Sequence, residues 1–204
     1  MLLTKKQIGP RHHGRKMSLK AFEFAKVEDG YVAELARGYL AVSEVANYAH
    51  GMQILAMNRV LFAYDAVNPG IIHAILGSQE CKLLIPEWES ERHSDIAVYL
   101  TVPKGPKDRT LWRTWIPELV IEVVSESSRD RDYIQKRDEY WTLGVKEYWI
   151  VDAYLKQVLL LKRGRTQWTE KTLEAADACE TKLLPGFKLS CQAIFDVAGE
   201  EGGV

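Results

Sequence analysis

Residues 117–141 read PELVIEVVSESSRDRDYIQKRDEYW. The first half is a nearly unbroken apolar run, Leu119 to Val124, interrupted by one carboxylate, Glu122. Such a run predicts a central strand covered on both faces. A carboxylate inside it is unfavourable unless it is paired or holds a metal. The second half, Asp130 to Leu143, predicts a helix that stops at Gly144, a residue suited to the left-handed position after a helix end. Ser125, Ser127 and Ser128 offer hydroxyls to cap its start. VKEYWIVD (145–152) predicts a further strand, so strand, helix, strand implies a βαβ-like central unit in a mixed sheet.

Working outward, QVLLLKR (157–163) and QWTEKTL (167–173) predict a hairpin around Gly164-Arg165, and Tyr31 to Val45 another around Arg37-Gly38. Asn47 to Val67 carries Ile54, Met57, Leu61 and Tyr64 at helical spacing, with Asn47 as cap and Pro69-Gly70 as stop. Strands are expected at 71–76, 81–86 and 94–100, and a short helix at 19–27. Residues 103–108 form a loop. The expected class is α+β, with an α/β-like central mixed sheet flanked by helices. Residues 1–18 predict a basic, mobile arm, 19–197 one domain, and 198–204 a tail.

Bulk composition narrows the function. The formal net charge is −1, so no global field draws in nucleic acid and any contact with it is local. No apolar run reaches the ~18 residues of a membrane span, and the start of the chain lacks a signal peptide's apolar stretch. Cys81, Cys179 and Cys191 are widely spaced, which argues against a zinc site or a disulfide framework and fits a reducing, cytoplasmic compartment. There is no HExxH, no GxSxG and no phosphate-cradling P-loop.

The chemistry-bearing residues are the acids in or beside apolar strands: Glu34, Asp95, Glu122 and Asp152. Carboxylates are what hard divalent cations prefer. If the strands of Asp95 and Glu122 are neighbours, their two carboxylates and the Val123 carbonyl form a set for Mg²⁺, or Mn²⁺. Such an ion activates water and clamps a phosphate. Asp132, Lys136 and Tyr140 share one helical face, and Lys136 places a cation beside a reacting phosphate. The plainer readings are a solvated Asp132–Lys136 ion pair worth ~0.3–0.5 kcal/mol, a surface-facing Glu122, Asp95 capping a strand, Asp152 forming a turn, and His50 satisfied at a helix start.

Together, Glu34, Asp95 and the stretch ELVIEVVSESSRDRDYIQKRDEYWTLGVKEYWIVD resemble the Uma2-like (DUF820) proteins of the PD-(D/E)XK, restriction-endonuclease-like superfamily. The resemblance spans about Leu19 to Leu173. It implies a restriction-endonuclease-like core and a metal-dependent endonuclease acting on DNA, with RNA not separated from it. Asp95 matches the aspartate of the PD element and Glu122 the acid of the (D/E)XK element. Val124 stands where the lysine usually follows, and the lysine looks relocated to Lys136. Glu34 matches an early glutamate, and His50 a histidine that opens the long helix. Ser94 and Glu126 replace prolines, and ARGY replaces IDGE in the hairpin. These departures motivate the alternative of a binding or regulatory module on a nuclease fold. Cleaving both strands of a duplex favours a homodimer.

Overall fold

In the computed structural model, residues 7–45, 47–125 and 128–197 are described. The principal elements in chain order are β1 (Tyr31–Ala36), β2 (Tyr39–Glu44), α1 (Tyr48–Val67), β3 (Ala74–Leu76), β4 (Leu83–Ile85), β5 (Ser90–Arg92), β6 (Ile96–Tyr99) and β7 (Leu119–Val123). They continue with α2 (Lys136–Leu143), β8 (Glu147–Asp152), β9 (Gln157–Arg163), β10 (Trp168–Glu174) and α3 (Cys191–Asp196). A six-stranded sheet has the order β10-β9-β8-β7-β6-β3, and a four-stranded sheet the order β2-β1-β5-β4. In the larger sheet only β7 and β8 pair in parallel, so the sheet is mixed and the fold α+β. The parallel pair requires a crossover, and α2 supplies it.

The β7 sequence explains its position. Leu119, Ile121 and Val123 pack on one side of the sheet with Met57 and Leu61 of α1. Val120 and Val124 pack on the other side with Tyr140 of α2, Tyr148 and Ile150. Every residue of the strand is buried. Because side chains alternate, Glu122 points with Val120 and Val124 towards α2. Both faces are covered, as the apolar run predicts, and the alternative of a surface-facing Glu122 is excluded by α2.

The β1–β2 hairpin turns at Arg37 (φ 51°) and Gly38 (φ 79°), the two consecutive positive φ values of a type I′ turn. Asn47 caps α1 by accepting from the His50 N–H. Gly144 (φ 100°) ends α2 as expected.

Several expectations change. Residues 7–18, read as a mobile arm, are part of the fold: Gln7–Ile8 pairs with Lys26–Val27, and Ile8 is fully buried. Residues 1–6, Glu126, Ser127 and the tail 198–204 lie outside the described residues. The helix expected at 19–27 covers Leu19–Phe22 before that strand begins, and the strand at 71–76 shortens to Ala74–Leu76. Ser128 does not cap the following helix. Its hydroxyl donates to Asp132. That helix opens with a π turn at Arg131–Gln135, closed by the Lys136 N–H donating to the Arg131 carbonyl. The cysteines read as widely spaced include one neighbouring pair: Cys179 Sγ lies 3.7 Å from Cys191 Sγ.

Candidate active site

Glu122 is 2 % exposed, and both its oxygens are engaged. Tyr140 donates its hydroxyl to Oε1 at 2.5 Å, and Lys136 Nζ lies 2.9 Å from Oε2. Lys136 Nζ also lies 3.0 Å from Asp132 Oδ1 and 3.9 Å from Glu34 Oε1. Lys136 and Asp132 are buried, so the solvated ion pair of the plainer reading is overturned. Three residues at i, i+4 and i+8 reach one carboxylate cluster because the π turn and α2 present one continuous face to β7.

Asp95 precedes β6, which pairs antiparallel with β7 through Ile96↔Ile121. Its Oδ2 accepts from the Val123 N–H at 2.7 Å and lies 3.2 Å from His50 Nε2. The same His50 nitrogen is 3.1 Å from the Val123 carbonyl. Two acceptors around Nε2 place the ring proton there, and together they raise the imidazole pKa against the lowering effect of burial. A Cβ on Gly77 would lie 2.3 Å from the Asp95 carbonyl oxygen. Gly77→Ala is therefore expected to lose about 1–3 kcal/mol of stability by overpacking and to shift Asp95. Thermal denaturation beside an activity assay checks both effects.

Glu34 lies on β1 of the smaller sheet. Its Oε1 accepts from the His93 N–H at 3.0 Å, and its Oε2 from Arg92 Nη1 at 3.1 Å. Burial alone would raise its pKa, but Lys136, Arg92 and the His93 N–H hold it near 2. Arg92 is the residue that sequence reasoning missed. It is fully buried and donates to Glu139 Oε2 at 2.6 Å and Gln135 Oε1 at 3.3 Å as well as to Glu34. It thus ties the smaller sheet to the helix that carries Lys136. Asp152 does form a turn, accepting from the Leu155 N–H, and its carboxylate also binds Arg129 and Tyr133, away from the cluster.

The electrostatics of the cluster favour added positive charge. Burial and the nearby Asp95, Asp132 and Glu34 carboxylates push Glu122 up to about 8 despite Lys136. The same carboxylates outweigh burial at Lys136 and raise its ammonium pKa. Among the described residues, no three His, Cys, Asp or Glu side chains are arranged to hold a metal ion. The donors expected from the sequence, Asp95, Glu122 and the Val123 carbonyl, are hard oxygens, and each already has a hydrogen-bond or ion-pair partner within the chain. That donor chemistry, with carboxylates in excess over cations, fits an ion that retains several waters.

A family model described as "Uma2: Putative restriction endonuclease" matches residues 20–192. A crystal structure titled as that of a "putative nuclease belonging to DUF820" from Anabaena variabilis ATCC 29413 is similar in fold. Its TM-score is 0.69 at 15% identity, covering 89% of this chain and 99% of that one. No curated protein matches the chain. No helix among the described residues is long and apolar enough to cross a membrane.

Proposed function

The chain belongs to the Uma2 family, and from that premise we propose that it is a Mg²⁺- or Mn²⁺-dependent endonuclease hydrolysing phosphodiester bonds of DNA. The observation that carries this reading is the buried cluster in which Lys136 lies among Glu122, Asp132 and Glu34. Asp95, Glu122 and the Val123 carbonyl are the groups that would hold the ion. When bound, such an ion supplies Lewis acidity and an activated water.

The chain's own residues do the rest. Lys136 stabilises negative charge on the attacked phosphate and orients the nucleophile. Asp132 and Glu34 hold its ammonium in place. His50 orients Asp95 and the Val123 carbonyl through one nitrogen. Tyr140 fixes the Glu122 carboxylate. A homodimer would supply the two sites that duplex cleavage asks for.

One observation favours the second reading, a nuclease-fold binding or regulatory module. Each Glu122 oxygen already has a partner from the helix, Tyr140 or Lys136. Incubation with supercoiled plasmid in Mg²⁺, Mn²⁺ or EDTA separates the two, with calorimetric metal titration alongside. The proposal expects metal-dependent nicking that Glu122→Ala and Lys136→Ala each abolish. Absence of both cleavage and metal binding would select the module.

A further inference from the structure

On the side of α2 away from Lys136 lies a cavity of about 480 Å³. It is bounded by the helix, by the β9–β10 turn and by Trp88 between β4 and β5. We infer that this cavity is a base-binding subsite, which takes one unpaired nucleobase of the substrate strand between its tryptophans. The inference rests on the nucleic-acid reading above and names which part of the substrate is recognised.

Three indoles line the cavity: Trp88, Trp141 and Trp168. Each is held in place. Arg37 lies over Trp88 with its guanidinium carbon 4.5 Å from the ring centroid. Arg163 lies over Trp141 at 4.0 Å and also meets Trp168 at 5.6 Å. Arg163 is itself bound to the Trp141 and Val145 carbonyls. Trp141 and Trp168 pack edge to face at 5.1 Å, and the Trp168 indole N–H donates to the Arg137 carbonyl at 3.0 Å. Rigid indoles make a stacking platform that pays little ordering entropy on binding.

The charges of the cavity select against an ionic ligand. Arg137 is paired with Glu170, and Asp138 with Arg37 at 3.1 Å. The lining side chains Arg137, Asp138 and Glu170 are thus each ion-paired, and the Arg163 guanidinium against Trp141 is turned to the Trp141 and Val145 carbonyls. The other polar groups are the Thr142 and Thr166 hydroxyls and the Gln167 amide. A carboxamide offers one donor and one acceptor side by side, the pattern that reads a base edge. Aromatic faces, neutral polarity and this volume together describe a planar heteroaromatic ligand.

Position supports the same assignment. The cavity and the Lys136 cluster lie on opposite faces of α2, roughly one helix diameter, about 10 Å, apart. The Arg37 that covers Trp88 also approaches Glu139, whose partner Arg92 binds Glu34. A base held in the cavity thus bears on a chain of ion pairs leading into the carboxylate cluster.

The test uses the full chain in EDTA, with tryptophan-fluorescence titration of a short single-stranded DNA oligonucleotide and of the same oligonucleotide carrying an abasic position. The expected result is binding about tenfold weaker for the abasic strand, and about tenfold weaker for Trp88→Ala with the intact strand. The two losses should not add when combined. Gln167→Ala, on the exposed hairpin turn, is expected to weaken binding of the intact strand in the same direction, and it keeps the test open if Trp88→Ala fails to fold. Equal binding of intact and abasic strands, or no nucleic-acid binding at all, would overturn the inference and leave the groove to a protein ligand. Trp88-dependent binding without plasmid cleavage would sustain the subsite while the catalytic reading fails.

Discussion

Replacing Arg92 with leucine is expected to lower folding stability by about 3–5 kcal/mol, the loss that follows when one member of a buried ion pair is removed. Arg92 and Glu139 are both fully buried and lie 2.6 Å apart. Leucine fills much of the volume but leaves the Glu139 and Glu34 carboxylates without their guanidinium. At this chain length the loss corresponds to a fall of roughly 6–20 °C in Tm, and thermal denaturation reads it directly. Arg92→Lys keeps the charge but offers a single ammonium where a planar fork serves three acceptors, so it should recover only part of the loss. Arg92→Leu combined with Glu139→Leu should be less destabilised than Arg92→Leu alone, because no buried charge is then orphaned at that pair. A pH effect accompanies the change. The Glu34 carboxyl, held near 2 against an ordinary 4.5, contributes stability that is present above pH 4.5 and is lost as the pH falls towards 2. Acid unfolding of the Arg92→Leu variant should depend less steeply on pH through that window.

Lys136→Met is expected to reduce cleavage by about 10²–10³-fold, the range seen when one preorganised charge-stabilising group is removed. It should also destabilise the metal-free protein by several kcal/mol, since Glu122 and Asp132 lose the ammonium at 2.9 and 3.0 Å. The magnitude decides between two pictures of this lysine. A solvated Asp132–Lys136 pair would cost ~0.3–0.5 kcal/mol on truncation. A cation buried among carboxylates would cost roughly ten times that. Added Mg²⁺ should raise the Tm of Lys136→Met by more than it raises that of the unaltered protein, because added positive charge compensates the same carboxylates. An equal rise in both would sever the link between the lysine and the proposed ion site.

Much of the fold was legible where local pattern and burial agree. The β7 run, the Arg37-Gly38 hairpin and the Asn47-capped helix each carry their signal within a few neighbouring residues. The candidate site was legible as a set of residue types in order, since an acid in an apolar strand is improbable without a role. β5 was not legible. Ser90, Glu91 and Arg92 form a buried strand written in polar letters. Their partners Glu139 and Glu34 come from other elements, Glu34 from 58 residues away, and Lys82 lies just before β4. A polar residue satisfied at that distance leaves no periodic trace. The burial of Lys136 was hidden for a related reason, because the helix-surface spacing of Asp132 and Lys136 is the same whether the face meets water or β7.

The π turn at Arg131–Gln135 has a genetic consequence. A π turn holds one residue more than the α-helical turn it replaces, so loss of a single codon within it would restore regular helix. Each residue of an α-helix advances about 100°. Removal of Tyr133, Ile134 or Gln135 would leave Asp132 three residues before Lys136 instead of four, about 60° away around the axis, a spacing that still shares one helical face. The extra residue can thus be lost in one heritable step that keeps Asp132, Lys136 and Tyr140 on the face they share, and regained by the reverse insertion.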